Sequence, residues 1–120
     1  MKIAVTVRGK DAGSPVDLRF GRAPGFLVAD TETGGTEYVD NEAGVGAAQG
    51  AGVQAVTRIA DRGVQALLTG HCGPNAFRAL QAAGIQVYTG LIDGSARDAI
   101  SRFRDGRLGK ASAPDVRPHW

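Results

Sequence analysis

The chain opens on a short apolar run, Lys2-Ile3-Ala4-Val5-Thr6-Val7, which predicts a first strand over residues 2–8. Phe26-Leu27-Val28-Ala29-Asp30 and Thr36-Glu37-Tyr38-Val39-Asp40 predict a second and a third strand, joined by the hairpin residues Thr31 to Gly35. No helix intervenes, so these three strands are antiparallel neighbours. The period then lengthens. From Ala51 to Asp61, Val53, Val56, Ile59 and Ala60 recur at helical spacing, and Gly63 ends the helix. Val64-Gln65-Ala66-Leu67-Leu68-Thr69 is nearly continuous in apolar character, as a strand covered on both faces should be. Pro74 suits the first position of a second helix, in which Phe77, Leu80 and Ala83 can face the core and which Gly84 closes. Ile85-Gln86-Val87-Tyr88 is a fifth strand. Ser95-Ala96-Arg97-Asp98 has a capping-box pattern and starts a third helix with Ala96, Ala99, Ile100 and Phe103 on one face.

The element order β-β-β-α-β-α-β-α predicts an α/β domain over residues 1–110 and a flexible tail over 111–120, where Pro114 and Pro118 interrupt regular structure. Helical crossovers make strands one, three, four and five parallel, with strand two running against them. The predicted sheet therefore has five strands in the order 3-2-1-4-5, with three helices. The loops leaving the C-terminal strand ends share one edge: Arg8–Pro24, Asn41–Gly50, Gly70–Gly73 and Thr89–Gly94. They are long and glycine-rich, whereas the other edge carries only tight turns. Ligands of open α/β sheets sit outside the C-terminal strand ends where the strand order reverses, here between strands one and four.

Composition narrows what such a ligand can be. The chain has 120 residues, 42% hydrophobic and 22% charged, enough for one core without disulfides or a structural metal. The net charge is +2 and no lysine- or arginine-rich run occurs, which argues against nucleic acid. No apolar run approaches a membrane span. The single cysteine, Cys72, excludes an internal disulfide and a multi-cysteine metal site within one chain. A free thiol fits a reducing compartment, so a cytoplasmic protein is expected.

The candidate chemistry gathers around the predicted switch point. Cys72 precedes Gly73-Pro74-Asn75, at the start of the second helix, where free amides and the helix dipole attract anions and lower a thiol pKa. The residues alone leave two readings: an anion or soft-metal site, or a buried inert cysteine beside an exposed His71. Phe20-Gly21-Arg22-Ala23 places a cation beside a glycine, or is a plain turn before strand two. Arg8, Lys10 and Arg22 form a modest cationic rim suited to a small anion. The glycines at positions 44, 46, 50 and 52 lack a Walker lysine and are weak as nucleotide motifs. His71-Cys72, five residues, then Arg78 matches the H-C-x5-R spacing of thiol phosphatases. Against that reading, the helix starts at once after Gly73, and no aspartate is placed as a general acid.

Taken together, Lys2-Ile3-Ala4-Val5, Phe20-Gly21-Arg22-Ala23, Gly50-Ala51-Gly52-Val53-Gln54-Ala55, Leu68-Thr69-Gly70, Gly73-Pro74-Asn75-Ala76-Phe77 and Ala83-Gly84-Ile85-Gln86-Val87-Tyr88 resemble the dinitrogenase iron–molybdenum-cofactor-binding family. That family includes NifX-like proteins, the C-terminal domain of NifB and the orange proteins of sulfate reducers, which the chain resembles most. The resemblance covers about residues 1–108. It implies a ribonuclease-H-like three-layer fold. It also implies non-catalytic binding of a preformed molybdenum-containing metal–sulfur cluster, either of iron–molybdenum-cofactor type or a molybdenum–copper sulfide. The residues expected at the cluster are Arg8, Phe20, Gly21, Arg22, Ala23, Asn41, Gly50, Gly52, Gly70, His71, Gly73, Pro74 and Asn75, with Cys72 as a candidate soft donor to metal; His71-Cys72 is not shared across the wider family, so its role rests on its local setting. A metal-independent interaction module serving ATPases encoded nearby is a further reading, and a monomer is expected. Gln49 stands where many relatives have histidine, and the radical-SAM cysteine motif of full-length NifB is absent.

Overall fold

The computed structural model describes residues 1–41, 51–91 and 93–111. Its sheet has six strands in the order β3-β2-β1-β4-β5-β6. The strands are β1 (Lys2–Val7), β2 (Gly25–Asp30), β3 (Thr36–Asp40), β4 (Ala66–Leu68), β5 (Gln86–Thr89) and β6 (Gly109–Lys110). The helices are α1 (Ala51–Ala60), α2 (Pro74–Ala82) and α3 (Ala96–Arg104). β1 pairs antiparallel with β2 and parallel with β4; β4 and β5 are parallel. The predicted order of the first five strands is therefore the observed one.

The sixth strand was not expected. β6 runs antiparallel to β5, through Tyr88 opposite Lys110 and Thr89 opposite Gly109. Two residues are too short to show any periodicity, so only the neighbouring strand reveals them. Ala111, expected to open the tail, donates its N–H to Val87 O at 2.7 Å and packs against the core. The rest of that tail, residues 112–120, lies outside the described residues.

Alternation along the strands divides the core into two layers. Ala4, Phe26, Val28, Val39, Leu67 and Val87 meet α1 and α2 on one face. Ile3, Val5, Val7, Leu27, Ala66 and Leu68 meet α3 on the other. The α1 stripe is centred on Ala55, Val56 and Ile59, while Val53, expected inside, is 44% exposed. Ala83, also expected inside, is exposed because α2 has already ended at Ala82. The third helix follows its pattern: Ser95 Oγ accepts the Asp98 N–H and the Asp98 carboxylate accepts the Ser95 N–H, closing the capping box. Gly63 and Gly84, with φ of +78° and +75°, make the left-handed turns that send α1 into β4 and α2 into β5.

Candidate functional site

The C-terminal edge of the sheet is organised by the loop between β1 and β2. After Val7 the chain turns through Gly9–Ser14 and returns along β1, with Val16 bridging Val7 and Asp17 N–H donating to Thr6 O at 2.8 Å. It then crosses to the end of β4: His71 N–H donates to Leu18 O at 2.7 Å, and Phe20 N–H donates to His71 O at 3.2 Å. The gap between β1 and β4 is thus bridged by backbone. Gly70 has a packing reason to be glycine, since a Cβ there would lie 2.8 Å from both Leu18 Cβ and Leu18 O. The same loop caps the other layer, with Ala96 N–H donating to Ser14 O and Arg97 N–H to Ala12 O.

Alternation puts Thr6 on the side of Ala4, and Thr69 on the side of Leu67, so both face the α1/α2 layer. There Thr6 Oγ1 donates to Asp17 O at 2.5 Å and lies 3.0 Å from Thr69 Oγ1. A hydroxyl has one proton, so Thr69 donates to Thr6. Asp17 is buried between two arginines, with its Oδ2 at 3.9 Å from Arg8 Nε and its Oδ1 at 4.0 Å from Arg19 Nε. Arg19 sits beside His71 in a parallel bridge.

The Phe20–Arg22 segment forms one 3-10 turn packed on α1. Its anchor is the Phe20 ring, buried against Phe26 at 5.6 Å between centroids. Asn41 holds the segment from behind. It is fully buried, its Nδ2 donates to Ala23 O at 2.9 Å, and its N–H donates to Pro24 O at 2.8 Å. Its Oδ1 has no partner among the described residues. Arg22 ends the turn exposed, and no acid among the described residues pairs with it. Phe20, Gly21, Arg22, Ala23 and Asn41 are therefore one unit, in contact with His71 through the Phe20 N–H.

The start of α2 forms the next part of the rim. Gly73 is its N-cap, Pro74 occupies N1, and no side chain caps the turn. A helix so begun presents backbone N–H groups and the positive end of its dipole. Cys72 is 1% exposed and belongs to the apolar core beneath the helix. Burial among apolar side chains is the setting of a structural cysteine, so the side chain stands under the rim rather than on it. Arg78 is exposed on α2 and donates to Asn75 Oδ1 at 2.5 Å. With Cys72 buried, Arg78 tied to Asn75 and α2 beginning at Pro74, the phosphatase loop is not assembled. Gly52 lies in the first turn of α1; Gly50, Gln49 and the glycines at 44 and 46 lie outside the described residues.

Residues 1–106 match the model of the family described as dinitrogenase iron-molybdenum cofactor. The chain belongs to that family. The apo form of the orange protein from Desulfovibrio gigas superposes with a TM-score of 0.94 at 47% identity, covering 96% of each chain. A candidate NifB protein from Thermotoga superposes at 0.85 with 36% identity, over 96% of this chain and 97% of its own. An uncharacterized protein of Methanocaldococcus jannaschii is 32% identical over 116 residues, covering 92% of this chain and 91% of that one. The family assignment supports cofactor binding or carrying and the three-layer fold read from the sequence.

Set within this family, the rim contains four residues that sequence reasoning passed over: Thr6, Asp17, Arg19 and Thr69. Thr6 and Thr69 carried a signal, being hydroxyls at inward positions of apolar strands. Asp17 and Arg19 carried none, since their burial and pairing depend on how the loop folds back. Among the described residues, no three His, Cys, Asp or Glu side chains come together to hold a metal ion.

Proposed function

We propose that the C-terminal rim of the sheet binds and carries a preformed molybdenum-containing metal–sulfur cluster as cargo, without reacting with it. The observation that carries this reading is the donor set. The rim offers arginines at 8, 19 and 22 and the uncapped start of α2 at Gly73–Asn75, but, among the described residues, no cluster of three or more His, Cys, Asp or Glu side chains that could hold a metal ion. Such a set suits an anion that brings its own sulfide ligands, since amides and guanidiniums hold its outer atoms. It does not suit a bare cation, which needs several thiolates, imidazoles or carboxylates. Cys72 serves by its backbone and its packing. Asn41 serves by holding the Phe20–Ala23 turn, since its spare atom is an acceptor and offers nothing to an anion.

A molybdenum–copper sulfide or an iron–molybdenum-cofactor-type cluster both meet this description. On this reading the carrier is a cytoplasmic monomer, with ATPases encoded nearby as protein partners. The test is to incubate the protein with tetrathiomolybdate and copper(I), desalt it, and measure visible charge-transfer absorption and bound metal. Retained colour with molybdenum and copper at a fixed ratio to protein is the expected result. A colourless, metal-free protein would overturn the reading.

A further inference from the structure

Asp17 is placed where a carboxylate is costly. Its side chain is 6% exposed, and a buried charge is tolerated only when paired and hydrogen-bonded. Its main chain is pinned at both ends by Thr6, through the N–H to Thr6 O and the carbonyl that accepts Thr6 Oγ1. Its Oδ1 also accepts the Arg19 N–H at 3.0 Å. The two arginines it meets are different in kind, long and 64% and 54% exposed. A fixed anion between two long, exposed cations sets where the cations stand. It also offsets the repulsion that two guanidiniums on neighbouring segments would otherwise feel. Each arginine approaches Asp17 most closely through Nε, and among the described residues no acid engages the Nη groups.

We infer that Asp17 is a positioning residue of the rim, holding Arg8 and Arg19 as a preset pair for a sulfide-rich anion. The inference rests on the proposed cluster-carrying function. It also makes a prediction opposite in sign to simple electrostatics. Neutralising Asp17 raises the positive potential of the rim, and Coulomb's law alone would then tighten an anion. Freeing two arginines instead adds an ordering cost to binding.

The experiment uses the full chain and Asp17→Asn, which keeps the size of the side chain and an acceptor for the Arg19 N–H. First, NMR follows Nε–H exchange of Arg8 and Arg19 in the cluster-free wild type, with Arg22 as the reference. Slower exchange than Arg22, abolished by Asp17→Asn, is expected. Second, titration with tetrathiomolybdate and copper(I) should show about tenfold weaker binding in Asp17→Asn. Equal or tighter binding by a folded Asp17→Asn chain would overturn the inference. So would wild-type exchange at Arg8 and Arg19 as fast as at Arg22, a readout that stands even if the variant does not fold. A wild-type chain that binds no probe while its two arginines stay protected would overturn the cluster reading alone.

Discussion

The two edges of the sheet are built from the same backbone by opposite means. At the C-terminal edge, one loop is stitched to β1, β4 and the start of α3 by main-chain hydrogen bonds. The buried polar residues among those described are Thr6, Ser14, Asp17, Asn41 and Thr69, and all five lie at this edge. The other edge is made of local turns, at Gly34, Gly63 and Gly84. Between the β2–β3 hairpin and α3, a cleft of about 320 Å³ runs toward it, lined by Arg97, Ile100 and Arg104 with Asp30 and Thr36. That cleft is open, and its acids are engaged locally: Asp30 accepts the Glu32 N–H and Asp105 pairs with Arg107. Desolvating a polar group costs free energy that a solvent-filled cleft does not spend. A concave surface is therefore weaker testimony to function than whole polar side chains held out of water, and among the described residues those gather at the C-terminal edge.

The sharpest way to break this comparison is to disturb a glycine at each edge. Gly70→Ala forces a Cβ onto the Leu18 backbone and should cost about 3 kcal/mol in urea unfolding, with loss of probe binding because the loop is displaced. Thr6→Val should cost about 2 kcal/mol by the same measurement, since the Asp17 carbonyl loses its buried donor. Gly63→Ala meets open space but keeps a φ of +78°, so only about 1 kcal/mol of left-handed strain is expected, with probe binding intact. Arg97→Ala with Arg104→Ala removes two cations from the cleft and should leave probe binding unchanged. Equal losses from the cleft and the rim variants would erase the distinction.

Acid sharpens the picture more gently. Backbone N–H donation by Ser95 lowers the Asp98 carboxyl below its ordinary 3.8, and donation by Glu32 does the same for Asp30. The unfolded chain then binds protons more readily than the folded one. These groups contribute stability that is full above about 3.8 and lost as pH falls through their lower folded values. Asp98→Asn should flatten the acid limb of a melting-temperature profile measured between pH 5 and pH 2.

Much of the fold is legible in residue spacing. Ser95 and Asp98 announce the start of α3, and Leu67-Leu68 announces a strand covered on both faces, because capping and burial are local consequences of side-chain type. Val53 misleads, because an apolar residue at a permitted helical spacing need not lie on the buried stripe. Cys72 is ambiguous in another way. Its place before a helix allows either an anion or soft-metal site or a buried cysteine, and only the depth of the core beneath α2 shows that the side chain is buried. The phosphatase spacing fails for the same reason, since seven positions along the chain do not specify which side of a helix Arg78 takes.

The sequence alone determined the elements, the parallel and antiparallel pairing of five strands, and the edge at which the long loops gather, because hydrophobic period and connection length act through near neighbours. The tertiary structure decided β6, the closure of the β1–β4 gap by Leu18–Phe20, and the burial of Asp17 between Arg8 and Arg19. Those arise from contacts between segments distant along the chain, whose geometry no local pattern encodes.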